Sequence, residues 1–180
     1  RFVDFLKAAG QRVWQILPLT PPLMGDSPYL SESAFAGNEA LISLEVLRDW
    51  GWLRQEALDD FLAQGQKTAS WHSLAAYKAK ILWDMSHDPD LTIPWEPFRA
   101  FCEKNAYWLD DYALFRAVRD FFGGRCWTEW PEDIRHHSRE ALAQYGRELA
   151  GAVSHVKFMQ YIFSRQWHDV RAYAAKNGVS

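Results

Sequence analysis

Val13-Trp14-Gln15-Ile16-Leu17 is apolar at nearly every position, and Pro18, Pro21 and Pro22 close it within a few residues. A strand with one wet face would alternate, so a run of this kind suits a strand covered on both faces, as in a parallel sheet. Proline cannot donate to a ladder and therefore ends it. No second run of this type follows in the 180 residues. A lone parallel-type strand cannot satisfy its own N–H and C=O groups, so it needs neighbours that this sequence does not supply.

The remainder of the chain reads as loop and helix. Residues 1–9 form an apolar-faced helix with Phe2, Phe5, Leu6 and Ala9 on one side, stopped by Gly10. From Thr20 to Ala40 there is no periodicity, but there are many aromatic and hydrogen-bonding side chains. A loop of about twenty residues in a compact domain is usually functional. Short helices are expected over 44–50 and 55–64, ending at Gly51 and Gly65. Ser70 caps a longer one with Leu74, Tyr77, Ile81 and Met85 on its buried side. After a turn at 88–94, helices are expected over 95–105 and 106–122, and Pro131 suits a first helical position. A last helix over 152–177 carries Val156, Met159, Phe163, Trp167, Val170 and Ala174, with Asn177-Gly178 as its C-cap.

The order helix, strand, long loop, helices, long helix fits one βα step of a barrel interrupted by an all-helical insertion. The fold class is therefore read as α/β, a barrel fragment with its first strand and flanking helices, although the chain itself is mainly α. Three segments follow: 1–40 with the first barrel helix, strand and loop; 41–150 as the helical insertion; and 151–180 as a barrel helix leading to the second strand. The chain opens in mid-helix without an initiator Met, as a cut piece would.

Charge excludes some functions. The net charge is -3 and no Lys/Arg stripe dominates any segment, which argues against a polyanion-binding surface and nucleic-acid partners. No run approaches ~18 apolar residues, so no spanning helix is expected. Cys102 and Cys126 lie far apart without CxxC spacing and read as reduced core thiols. With 10 Trp, 11 Phe and 7 Tyr the chain is rich in rings. That fits either a core of large side chains or sugar binding, where the apolar face of a pyranose stacks on a flat ring.

In parallel α/β folds ligands sit at the carboxyl ends of the strands, which makes the loop after Leu17 the strongest candidate site. Gly25 allows a tight turn, Asp26 and Ser27 supply hydrogen-bonding groups, Pro28 stiffens the backbone, and Tyr29 offers a ring with a polar tip. The same residues would also serve a purely structural loop in which Asp26 and Ser27 satisfy local amides. Elsewhere, Asp110-Asp111 are adjacent on a helix and point about 100° apart, so they cannot work as acid and base on one bond. His136-His137 has the same difficulty as a metal site, and His155 and His168 are too far apart to share an ion. No metal or cofactor is expected.

Three linked motifs carry a family likeness. Val13-Trp14-Gln15-Ile16-Leu17-Pro18-Leu19, Gly25-Asp26-Ser27-Pro28-Tyr29 and Ser33-Ala34-Phe35-Ala36-Gly37-Asn38 closely resemble the opening barrel segment of amylomaltases. These are the 4-α-glucanotransferases of glycoside hydrolase family 77. The likeness continues through Trp108-Leu109-Asp110-Asp111-Tyr112-Ala113-Leu114-Phe115 and Phe163-Ser164-Arg165-Gln166-Trp167, in order along the whole chain. The resemblance implies a (β/α)8 TIM barrel that transfers α-1,4-glucan segments between maltooligosaccharides with retention. An Asp nucleophile, a Glu acid/base and a second Asp would do the chemistry. In the family these come from later strands beyond Ser180, so no catalytic residue is assigned here. A cytoplasmic location, or a plastid in a plant or alga, is implied as well.

What carries over is substrate binding. Tyr29 matches the tyrosine that stacks on the sugar at the cleavage point, Ser27 a hydrogen-bonding neighbour, and Asp26 a residue shaping the same loop. Trp14 and Gln15 are read as core or as support behind the sugar contacts, and Asp110 and Tyr112 as structural. Met24, Leu30 and Glu32 depart from the residues common in relatives, which bears on acceptor preference. Two rival readings are a non-catalytic helical binding or scaffold module and a hydrolytic α-amylase relative. The resemblance further implies a continuation after Ser180 with a strand containing Gly-Asp-x-Pro-Ile.

Overall fold

The computed structural model describes residues 1–23, 27–67 and 70–180. Its α-helices are α1 (Phe2–Ala8), α2 (Leu44–Asp49), α3 (Gln55–Lys67), α4 (Trp71–Ser86), α5 (Trp95–Phe121), α6 (Glu132–Arg135), α7 (Arg139–Glu148) and α8 (Ala150–Lys176). Short 3-10 turns lie at Glu39–Leu41 and Trp127–Glu129. The chain divides into two compact units, one of Arg1–Met85 with Ile162–Ser180 and one of Ser86–Tyr161.

Local chemistry accounts for several helix ends. Ser43 starts α2 by accepting from the Val46 N–H at 3.2 Å, and Ser138 starts α7 by accepting from the Ala141 N–H at 3.1 Å. Gly178 (φ +74°) ends α8, with the Gly178 and Val179 amides donating to the Ala175 and Ala174 carbonyls at 3.0 Å each. Two boundaries differ from the periodicity. Helix α3 runs through Gly65 to Lys67, since one glycine costs only about 1 kcal/mol within a helix. The two helices expected over 95–122 are a single one, α5, because no Gly or Pro stands at the expected break near 105 and Pro97 lies in the first turn, where its missing N–H breaks no helical bond.

In the first unit, Val3, Leu6, Ala174 and Val179 form a buried cluster against which Trp14 packs. The buried face of α1 is thus Val3 and Leu6, while Phe2 and Phe5 are exposed. Ala36, Ile42, Leu44 and Leu47 are also buried. In the second unit, Val118, Trp130, Ile134 and Ala141 form the core of α5, α6 and α7, with Phe115, Phe122 and Tyr145 packed on it. Phe98, Phe158 and Tyr161 make a ring cluster with centroids 5.5 to 6.4 Å apart. Cys102 is half-buried and Cys126 is exposed, so only the first approaches the core role expected of both. Cys126 follows Gly123 and Gly124, whose positive φ ends α5.

The expected strand at 13–17 is not formed among the described residues. Val13, Ile16 and Leu17 are exposed, because a both-face-buried strand requires flanking strands that no described residue provides. One rung is nevertheless in place. The Ser180 N–H donates to the Arg12 carbonyl at 2.9 Å and the Trp14 N–H to the Ser180 carbonyl at 2.8 Å. That slanted pair is the unit of a parallel ladder.

Candidate functional site

The segment from Thr20 to Asn38 closes on itself, with the Asn38 N–H donating to the Leu19 carbonyl at 2.8 Å. Inside it, Pro22 and Ser31 form an antiparallel bridge, and the Leu23 N–H donates to the Leu30 carbonyl at 2.7 Å. Serine side chains add further bonds. The Ser31 hydroxyl is 2.9 Å from the Pro21 and Ser33 carbonyls, and the Ser33 hydroxyl accepts from the Phe35 and Ala36 amides at 3.1 Å. None of these bonds among the described residues of the loop uses the Tyr29 side chain.

Tyr29 sits in the turn closed by the Leu30 N–H donating to the Ser27 carbonyl at 3.2 Å. Pro28 has the φ that such a turn requires. The Tyr29 residue is 76% exposed, a high value for a ring that gains by burial. Ser27 is half-buried beside it. Asp26, with Met24 and Gly25, lies outside the described residues. Trp14 is half-buried, with its ring 5.1 Å from that of Phe2 and 6.3 Å from that of Trp167, whereas Gln15 is exposed. A cavity of about 620 Å³ adjoins Trp14, Ile16, Phe163 and Trp167; Tyr29 and Ser27 are not among its walls.

Asp110, Tyr112 and His155 make structural contacts within the second unit. Asp110 pairs with Lys157 at 2.6 Å on the surface of the second unit, and Tyr112 is buried against Trp108. The Ser86 hydroxyl is 2.6 Å from Nδ1 of His155 and 3.0 Å from Nδ1 of His87. Burial pushes the His155 imidazole down to about 4, with His87 and Arg116 adding to the effect. Among the described residues no group of three or more His, Cys, Asp or Glu could hold a metal ion. No described helix is long and apolar enough to cross a membrane.

Several residues that shape the loop carry no local sequence signal. Gly37 lies under the Phe163 ring, where a Cβ would come well inside 3.0 Å of three ring carbons. Gln166 accepts from the Ser43 N–H at 2.8 Å and donates to the Ser43 carbonyl at 3.1 Å. Lys78 donates to the Ala40 carbonyl at 2.7 Å, and burial pushes its amine down to about 8 against the pull of Glu45. The signal available beforehand was the 163–167 motif, whose Phe163, Gln166 and Trp167 share one face of α8 by their three- and four-residue spacing.

The whole chain, residues 1–180, matches the family model described as 4-alpha-glucanotransferase. A Synechocystis protein named 4-alpha-glucanotransferase is 38% identical over 184 residues, covering 100% of this chain and 36% of its own length. One from Thermus thermophilus with the same name is 41% identical over 182 residues, covering 99% of this chain and 35% of its own length. Among solved structures, the amylomaltase from Streptococcus agalactiae in complex with acarbose is similar at a TM-score of 0.87 and 31% identity. That match covers 99% of this chain and 36% of the other. The chain thus spans about a third of the length of the relatives it matches.

Proposed function

Because this chain belongs to the 4-alpha-glucanotransferase family, glycoside hydrolase family 77, we propose that it supplies part of the sugar-binding wall of such an enzyme. The complete protein cuts an α-1,4-glucan, holds the piece as a covalent glycosyl-enzyme, and passes it to the 4-hydroxyl of another maltooligosaccharide. The reacting carboxylates belong to the part of the enzyme outside these residues. Tyr29 stacks on the glucose at the cleavage point, Ser27 hydrogen-bonds beside it, and Asp26 belongs to the same loop.

The observation that carries this reading is the Tyr29 ring, 76% exposed in a turn closed by the Leu30 N–H donating to the Ser27 carbonyl. An exposed ring held in place gains by covering a pyranose face and loses little conformational freedom in doing so. The parallel rung joining Arg12, Trp14 and Ser180 supports placing 13–17 and the residues after 180 side by side as the first and second strands of a (β/α)8 barrel. In that arrangement residues 1–40 carry the strand and loop, 41–150 the helical insertion, and 151–180 the barrel helix. The acarbose held by the solved relative from Streptococcus agalactiae supports an α-glucan as ligand. The protein works in the cytoplasm, or in a plastid if its source is a plant or alga.

The test is to give the complete polypeptide maltotriose and follow the products. Release of glucose together with longer maltooligosaccharides is expected. Release of shorter sugars with no longer ones would identify a hydrolase, and an unchanged maltotriose pool would leave a binding or scaffold role.

A further inference from the structure

The stretch from Phe163 to Trp167 takes no part in contacting sugar under the proposed function, yet its side chains converge on the segment that carries the loop. Phe163 covers Gly37. The Arg165 guanidinium lies 4.1 Å over the Trp50 ring and 5.4 Å from that of Trp52. The Trp167 ring meets that of Trp14 at 6.3 Å. Gln166 makes the most specific contact of the four. Its amide takes both backbone groups of Ser43, as a neighbouring strand would.

Ser43 is the last of several anchors along the base of the loop. Asn38 is bonded to Leu19, its side chain caps the Ala40 N–H at 3.0 Å, and Lys78 holds the Ala40 carbonyl. Ile42, between these anchors and Ser43, is 1% exposed. A shift of Ser43 therefore moves a buried residue and, through Asn38, the closing bond of the loop. We propose that Gln166 is a positioning residue for the loop that presents Tyr29; this rests on the reading of Tyr29 as a sugar platform. Removing the Gln166 amide leaves two half-buried backbone groups without that partner and lets the loop base sample other positions. Apparent affinity then falls by the fraction of molecules with the loop in place, while bound substrate restores the arrangement and the chemical step proceeds as before.

The experiment is steady-state disproportionation of maltotriose by the complete polypeptide. Gln166→Ala is expected to raise KM about tenfold with kcat kept within about twofold. Gln166→Glu has nearly the same shape and keeps the acceptor for the Ser43 N–H. At about pH 7 its carboxylate faces the Ser43 carbonyl and KM rises; toward about pH 5 the protonated acid can donate again, so the ratio of its KM to that of the parent falls toward one. This variant answers the question even if the alanine form does not fold. An unchanged KM at pH 7 in the folded variants, a fall confined to kcat, or a Glu-variant ratio indifferent to pH would each overturn the positioning role. Tyr29→Ala is measured alongside: if it leaves KM and kcat untouched, the sugar-platform reading fails instead.

Discussion

Gly37 and Phe163 occupy one volume that admits a ring only because residue 37 has no Cβ: a methyl there would press against three carbons of the Phe163 ring. The backbone of Gly37 is not in the left-handed region, so the demand is for space and not for unusual dihedrals. Gly37→Ala is therefore expected to cost about 1–3 kcal/mol through overpacking. Most of that loss should be recovered in Gly37→Ala/Phe163→Ala, relative to Phe163→Ala alone. Denaturant midpoints of the four proteins give the coupling, and additive losses would show that the two residues do not share this space.

Replacing the exposed ring at 29 separates stacking from hydrogen bonding. Tyr29→Phe keeps the flat face and should change the KM for maltotriose by no more than about threefold. Tyr29→Ala should raise it about five- to thirtyfold, since one stacked ring is worth roughly 1–2 kcal/mol. Thermal stability should stay within about 0.5 kcal/mol for both, because an exposed side chain contributes little to folding.

His155 makes stability depend on acid. Its folded value of about 4 lies below the ordinary 6.5, so between those pH values the unfolded chain binds a proton that the folded chain refuses. The contribution is complete above pH 6.5 and is lost as the pH falls toward 4, by up to about 3 kcal/mol. Urea midpoints from pH 7 to 4.5 should fall less steeply for His155→Gln than for the parent.

Lys78 acts at the alkaline end. Burial holds its amine near 8, below the ordinary 10.5, so from pH 8 to 10.5 the unfolded chain keeps a proton that the folded one has released. Stability should therefore rise with pH across that window. Lys78→Met should lack this rise, and because the Ala40 carbonyl loses its donor it should be the less stable protein at pH 10. Thermal midpoints at pH 8 and 10 for the two proteins provide the comparison.

Much of the fold is legible along the chain. Ser70 and Gly178 mark helix ends because a cap bonds to amides or carbonyls only a few residues away. The loop between Pro21 and Asn38 is legible by its lack of period, and within it Tyr29 stands out as a ring with a polar tip. Periodicity misplaces Phe2 and Phe5, which are exposed while Val3 and Leu6 are buried, since a pattern of apolar residues does not say which of them find neighbours. The strand at 13–17 shows the same limit: its composition records a covered environment, but the hydrogen bonds that make a strand belong to partners.

By itself the sequence determined where most helical segments lie, the C-cap at Gly178, the loop and the family motifs, each of which depends on residues close together along the chain. The tertiary structure alone decided that Gln166 would meet Ser43, 123 positions away, and that Phe163 would lie on Gly37. Such pairings follow from how α8 packs against the loop base. Packing is set by the simultaneous burial of many side chains, each of which is compatible in isolation with several partners.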